Sequence, residues 1–428
     1  MATNNKLSDF LIIGAGAAGL VAGIFAARKG LSVTLVEKME RPGRKLLITG
    51  KGRCNVCNCC TVEEFMPNVM SNPRFLYSCL NNFNPYEVMG FFEELGVPLK
   101  VERGQRVFPQ SDRSMDIVDA LVDEARRLGC KFTQGTVKEL ILEEISLENT
   151  DKKSHNKIVK GVVCSDGREI FAKTVLIATG GKSYPATGST GDGYSLAKQA
   201  GHSIIKLKPS LVPIVTHEKY CTEMMGLSLK NVVLSVFEKN SNKLVYSELG
   251  EMLFTHFGVS GPLVLSASCR MNGDLSRYKM EIDLKPALSE EQLDARILRD
   301  FEQFKNKAFS NSLSLLLPRK MIPIVVKLSQ IPADLKVNQI TKEQRRKLIE
   351  VIKAFPISPK NFRPIEEAIV TAGGVDVKEI SPKTMESKIC KNLYFAGEVI
   401  DVDAYTGGYN LQIAFSTAWT AAANCLEN

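Results

Sequence analysis

Residues 11–19 read Leu-Ile-Ile-Gly-Ala-Gly-Ala-Ala-Gly, and Glu37 ends the next apolar run. Few local folds use three glycines at that spacing. Residues 9–13 read as an apolar strand. Gly14 permits a tight turn, Gly16 lets the backbone approach a pyrophosphate, and Gly19 lets the next helix pack on the strand. Residues 17–29 then read as a helix whose first N–H groups face phosphates. Residues 32–36 form a second strand, and Glu37 at its end is placed to accept hydrogen bonds from a ribose. Strand, glycines, helix, strand and acid in register are far more specific than the glycines alone. The chain therefore opens on a dinucleotide-binding unit.

The length of 428 residues implies roughly two to three domains. An apolar content of 44% with 24% charged residues is that of a chain with a packed core. The net charge of +8 could attract nucleic acid. No basic–aromatic stripe accompanies it, so the excess reads as solubility plus an anionic cofactor, with no nucleic-acid partner expected. Residues 11–27 carry no charge, but they are shorter than the roughly 20 residues that cross a bilayer and hold the fingerprint glycines. No basic segment and cleavage site frame them. A cytoplasmic protein with no membrane association is expected. The 11 cysteines are an odd number, and disulfides are not expected in such a chain. Cys54, Cys57, Cys59 and Cys60 cluster, and Cys54-x-x-Cys57 could be a metal or dithiol pair. With no second pair beyond the cluster, small buried or loop thiols are the expectation, and no metal.

Six Lys/Arg between Lys38 and Arg53 follow the ribose acid in a Gly-rich stretch. Such a run is either a solvated loop or a wrap around a charged cofactor. Residues 85–95 and 114–128 have helical spacing, with a hairpin between them turning at Arg103-Gly104. Residues 159–164 and 169–172 suggest a second hairpin on Asp166-Gly167. Residues 174–178 read as a buried strand ending in Thr179-Gly180-Gly181. From 204 to 284 short β-branched runs alternate with turns, as in an antiparallel sheet or small barrel. From 289 to 355 the signal is mostly helical. Helices start at Ser289-Glu-Glu-Gln and at Thr341-Lys-Glu-Gln, the latter short of a perfect capping box. Residues 392–396 form another buried strand before Gly397-Glu398, and an Ala-rich helix closes the chain after Gly407-Gly408. The domains expected are a discontinuous FAD-type unit at 1–200 and 360–428, a barrel-like insert at 201–288 and a helical subdomain at 289–359.

Three Gly-rich loops, at 14–19, 180–181 and 397–408, each follow an apolar strand. They would meet at the carboxyl ends of parallel strands, where open α/β sheets bind ligands. The last opens a helix at Gly408-Tyr409-Asn410-Leu411-Gln412, whose N-terminal dipole would face an anion such as a reduced flavin. Glu398 or Asp401 would lie nearer the ribityl chain or the phosphates.

These segments, with Gly-Lys-Gly-Arg-Cys-Asn (50–55), Gly-Gly-Lys-Ser-Tyr-Pro-Ala-Thr-Gly-Ser-Thr-Gly-Asp-Gly (180–193), Phe-Thr-His-Phe-Gly-Val-Ser-Gly-Pro (254–262), Thr-Ala-Gly-Gly-Val (371–375) and the run 397–412, resemble the BaiN-like, or aminoacetone-oxidase-like, NAD(P)/FAD-dependent flavoproteins over nearly the whole chain. The resemblance implies an α/β fold. Its Rossmann-like, glutathione-reductase-type FAD domain is interrupted by a β-barrel plus helical insert. It assigns Gly14, Ala15, Gly16, Ala18 and Gly19 to the pyrophosphate and Glu37 to the ribose. Lys38, Arg44 and Lys45 would lie along the phosphates or ribityl. Val137, Thr179, Gly180 and Gly181 would line the adenine side, and Gly397, Glu398, Asp401, Gly408, Tyr409, Asn410, Leu411 and Gln412 the flavin. Two positions depart from the family pattern. Cys57 replaces a Thr and Ala404 a Gly. Cys57 would lose a hydroxyl bond near the cofactor, and Ala404 restricts positive φ.

His256, Tyr184 and Tyr405 are the candidate groups on the reacting side, as proton donors or ring-covering residues. The expected function is FAD-dependent hydride transfer on a small organic substrate, with NAD(P)H as a possible donor. An amine or aminoketone oxidase using O₂ is the alternative. A flavin-holding RNA-modification or redox-sensor protein is the alternative of another class.

Overall fold

The computed structural model describes residues 7–145 and 156–426. It divides into two units, Met1–Ser210 with Ile365–Asn428, and Leu211–Pro364. The first is built on strands β1 (Ser8–Ile13), β2 (Val33–Glu37), β3 (Lys131–Gln134), β4 (Glu169–Ile177) and β5 (Leu393–Phe395). They pair in the order β3-β2-β1-β4-β5, every pair parallel. That is the order of a dinucleotide-binding sheet. Parallel strands with both faces covered must be apolar throughout. Phe10, Leu11, Ile12, Leu35, Val175, Leu176, Ile177 and Phe395 are accordingly fully buried. Helix α1 (Ala17–Arg28) packs against helix α2 (Tyr409–Asn424), so both chain ends share one core.

Residues 169–178 were expected as a hairpin arm and a separate strand. Residues 169–177 form one strand, β4, with Ala178 just beyond it. Its first residues pair antiparallel with Lys157–Cys164, and its remainder enters the parallel sheet. Ile204–Ser210 pairs antiparallel with Val370–Val375 inside the first unit.

The second unit holds a seven-stranded antiparallel sheet. Its path runs from Phe355–Ile357 at one edge to Pro359–Phe362 at the other. Only Ser358 separates these two strands, so the sheet must roll until its edges meet, in the manner of a barrel. Residues of this sheet and of the helices Glu290–Gln303, Ile322–Ser329 and Lys342–Lys353 enter one continuous core. Reciprocal capping boxes open two of those helices, Ser289 with Gln292 and Thr341 with Gln344. Thr341 thus forms the full box that its sequence only approximated.

Asp9 ties the start of the parallel sheet. It accepts from Ser32 N–H and Oγ (2.9 and 2.7 Å) and pairs with Lys173 on β4 (2.8 Å). The Lys173 bond, then those of Ser32, lower its pKa to about 2. A depressed pKa gives stability that is present above the unfolded value and lost as pH falls through the folded one. Asp9→Asn should therefore lower stability at pH 7, with the gap to wild type closing between about pH 4 and pH 2, as read by urea titrations across pH. Ser289→Ala should destabilise the second unit by about 1 kcal/mol in the same assay.

Candidate cofactor and active site

Because β1, β4 and β5 are neighbours, the loops leaving their carboxyl ends lie side by side. Their contacts are backbone-close. A Cβ added at Gly14 (φ +98°) would lie 2.7 Å from the Ala178 carbonyl oxygen. At Gly19 it would collide with the Gly14 carbonyl, and at Gly397 it would lie 3.1 Å from Ala18 Cβ. At Gly181 it would press on Thr371 and, at 2.6 Å, on Glu398. Gly16 differs, for its added Cβ would meet nothing within 4 Å. Its missing side chain leaves an open face above the first turn of α1.

Charged groups beside these loops are held in place. The Glu37 carboxylate accepts from Ala15 N–H and Met39 N–H, both at 2.8 Å. Lys38 pairs with Asp192 (2.6 Å) and reaches Thr190. Lys45 donates to Glu398 (2.6 Å) and Ser183 Oγ (2.7 Å). The other Glu398 oxygen accepts from Thr371 N–H (2.8 Å) and Ser183 Oγ (3.1 Å). Arg44 is exposed at the start of the short helix Arg44–Ile48. Val137, three residues beyond the end of β3, is buried at the start of the strand Val137–Glu144, which pairs with Lys157–Cys164. The Thr179 hydroxyl fits only because position 193 is glycine, where an added Cβ would collide with it.

The turn before α2 has φ +127° at Gly407 and +98° at Gly408. Three asparagines shape it. Asn410 accepts from Ala404 N–H (2.9 Å) and donates to the Ala404 and Tyr405 carbonyls (2.8 and 3.2 Å). Asn58 donates to the Gly407 and Gly104 carbonyls (3.1 and 3.0 Å). Asn55, with its amide oriented to satisfy its neighbours, accepts from Gly408 N–H (3.1 Å). Neither Asn55, the last residue of the 50–55 motif, nor Asn58 was among the site residues expected from the sequence. Asp401 is half-buried, and burial raises its pKa although Asn72 donates to it at 2.9 Å. Tyr409 packs edge-on to Phe65, and burial pushes its phenol to about 12. Leu411 is half-buried. Gln412 is fully buried and donates to Phe83 O and Ser416 Oγ, both at 2.9 Å.

Both departures from the family pattern are accommodated. Gly408 packs on the Cys57 peptide, where any Cβ would collide, while the Cys57 thiol turns to Pro85 O (3.8 Å). Ala404 is buried and stands outside the positive-φ residues. Burial raises the thiol pKa of Cys57, and of Cys54 and Cys60 to about 12, so these are thiols rather than thiolates. Among the described residues no group of three or more His, Cys, Asp or Glu is placed to hold a metal ion. Tyr184 is half-buried with φ +52°, its N–H donating to Glu366 O (3.1 Å), and burial raises its pKa. Tyr405 is half-buried beside the Gly407 turn and donates its N–H to Asn68 O (2.9 Å). His256 belongs to the second unit, exposed with its ring edge-on to Phe257.

A family model described as the HI0933-like protein Rossmann domain matches residues 8–424. The chain belongs to this family. It is 30% identical over 424 residues to the ribosomal RNA dihydrouridine synthase of Escherichia coli, covering 98% of each chain. It is 30% identical over 422 residues to the 3-dehydro-bile acid delta(4,6)-reductase of Clostridium scindens, covering 97% of this chain and 98% of that one. In fold it is similar to the 3-ketosteroid delta1-dehydrogenase of Sterolibacterium denitrificans (TM-score 0.52, 11% identity, 98% and 99% covered). Membership of this family, with its full-length reductase relative, makes this chain an FAD-dependent oxidoreductase. The residues present fit FAD. The open face at Gly16 and the first-turn N–H groups of α1 and α2, which have no intrahelical acceptor, offer donors to anionic groups. No helix among the described residues is long and apolar enough to cross a membrane. A second relative named ribosomal RNA dihydrouridine synthase, from Haemophilus influenzae, is 32% identical over 421 residues, covering 98% of each chain.

Two glycine variants separate cofactor from fold. Gly16→Ala should leave the thermal melt of the apoprotein unchanged and weaken FAD at least about tenfold, or ~1.4 kcal/mol, in a flavin-fluorescence titration. Gly408→Ala, with its strained φ and its clash on Cys57, should lower both the melt and the bound flavin.

Proposed function

We propose that this protein reduces carbon–carbon double bonds conjugated to a carbonyl, with a uracil base of ribosomal RNA as substrate and NADH or NADPH as hydride source. One observation carries this reading. Two relatives matched over nearly their whole lengths have names that denote the same chemistry. Forming dihydrouridine saturates the bond conjugated to the uracil 4-carbonyl. A delta(4,6)-reduction of a 3-oxo ring system saturates bonds conjugated to its ketone. Each adds hydride to the carbon β (or vinylogously δ) to a carbonyl and a proton to a neighbouring carbon of the conjugated system. The +8 net charge favours a polyanionic substrate. The aminoketone-oxidase alternative has no comparable support.

FAD, when bound, supplies the two-electron carrier. In this reading Gly14, Ala15, Gly16, Ala18 and Gly19 bind its pyrophosphate, and Glu37, held by two N–H groups, binds the ribose. Lys38, Arg44 and Lys45 flank the phosphates and ribityl. Val137, Thr179, Gly180 and Gly181 line the adenine side. Gly397, Glu398, Asp401 and the 408–412 turn surround the flavin, where the α2 N-terminus stabilises negative charge. Burial keeps the Tyr184 phenol protonated, as a proton donor must be. Tyr405 and His256 are the other donor candidates.

The test is anaerobic. NADH or NADPH should bleach the flavin band, and ribosomal RNA incubated with the reduced enzyme should gain the mass of two hydrogens at uridine. Bleaching by neither nucleotide, or unchanged uridine beside reduction of a free enone, would sink the corresponding half of the reading. Tyr184→Phe should slow uridine reduction about a hundredfold while flavin bleaching keeps its wild-type rate.

A further inference from the structure

The small sheet of Cys57–Asn58, Leu99–Glu102 and Arg106–Pro109 is fastened to the Gly407–Gly408 turn at several points. One amide group, Asn58 Nδ2, holds both the hairpin tip at Gly104 O and the turn at Gly407 O. Asn55 spans the same junction, donating to Val107 O (3.1 Å) while it accepts from Gly408 N–H. Cys59 N–H donates to Gln105 O (2.7 Å). The hairpin tip is therefore held against the turn that opens α2.

Its charges fall into two sets. Arg53 and Lys100 are neutralised by Glu102 and Asp112. Arg103 and Arg106, at the tip, are exposed and have no acidic partner among the described residues; Arg106 Nε donates only to Arg103 O (3.0 Å). Lys51 is likewise exposed and has no acidic partner among the described residues, in a turn whose Gly50 abuts Asn55 and the Phe108 ring. Tyr86, 54% exposed, directly follows Pro85, whose carbonyl the Cys57 thiol of this sheet faces, and Cys59 and Glu64 act on its phenol to raise its pKa. Unpaired cations and an exposed aromatic ring carried by the same small sheet and its neighbouring helix match what single-stranded nucleic acid requires, phosphates on the cations and a base on the ring.

We propose that Lys51, Arg103 and Arg106 form a phosphate-binding strip, with Tyr86 as a stacking platform, that holds the RNA strand flanking the reacting uridine. This rests on the RNA reading above. The test uses the FAD-loaded full chain and a fluorescent oligouridylate, titrated over a range of salt. Wild type should bind with a steep salt dependence. The triple variant Lys51→Ser/Arg103→Ser/Arg106→Ser should bind at least tenfold more weakly, with the log–log salt slope reduced by about 2, at ~0.7 per lost phosphate contact. Flavin content and bleaching by NAD(P)H should not change. Arg103→Lys/Arg106→Lys should restore most of the binding, since each phosphate contact needs charge more than shape. Tyr86→Ala should weaken binding without changing the slope. Equal affinity and slope in wild type and the triple variant would overturn the strip, as would no oligouridylate binding by wild type at low salt. Reduction of uridine in ribosomal RNA is scored separately, so the strip can fail while the RNA reading stands. Should wild type reduce only free enones, the RNA reading fails and the strip with it.

Discussion

The parallel pairing of β5 with β4 is the contact on which the cofactor site depends. In register Leu393 faces Val175, Tyr394 faces Leu176 and Phe395 faces Ile177. That short ladder delivers residues from the end of the chain to the same edge of the sheet as residues 14–19. The approach then closes on small residues. Gly397 sits against Ala18, and its N–H donates to Thr417 Oγ1 on α2 (3.0 Å). A larger side chain at either place would separate α1 from α2, and with them the two helix N-termini. Glycines cost conformational entropy on folding. The buried Tyr394, Phe395 and Phe415 beside them offset it.

Electrostatics at the cradle follow from the same closeness. The lysines nearest the loops are already paired, Lys38 with Asp192 and Lys45 with Glu398. Glu37 is held by N–H donors rather than by a cation. Apart from the exposed Arg44, the side chains therefore bring little net positive charge, and backbone dipoles at the starts of α1 and α2 are the main donors to an anionic ligand. Dipoles fixed by secondary structure need no rearrangement when charge on the ligand changes, which suits a cofactor that alternates between redox states.

The parallel half of the first unit was legible because its signals are local. The glycine spacing, apolar strands and terminal acid each lie within a few residues of one another. Signals spread across the chain were not. Residues 169–177 read as two pieces because the strand changes partners midway, from an antiparallel neighbour to a parallel one, and periodicity does not register partners. Residues 204–210 looked like the start of the insert, yet their partner is Val370–Val375, more than a hundred residues on. Asn55 and Asn58 were passed over because an asparagine beside cysteines carries no periodic signal. Their role exists only once Gly407 and Gly408 have folded against them. The rolled sheet of the second unit was hinted at by alternation, whereas its closure at Ser358 is a property of pairing order alone.

The separation between what holds FAD and what surrounds it bears on substrate choice. Relatives named for an RNA base and for a bile acid match this chain at the same identity over nearly the same length. A cradle made of backbone and glycine can be common to such proteins, since hydride transfer asks the same of the flavin in each case. Selection must then come from side chains set around the 407–408 turn. The turn is gripped from outside by the 57–58 and 99–109 sheet, and Cys57 shows how such a grip tolerates change. Its peptide supports Gly408 while its side chain faces Pro85, so the residue type can vary without moving the turn. Exposed side chains on the same sheet are freer still. The Arg103 and Arg106 side chains make none of the contacts that hold the 407–408 turn, so under the proposed reading the hairpin tip is where substrate preference can change while the redox chemistry stays constant.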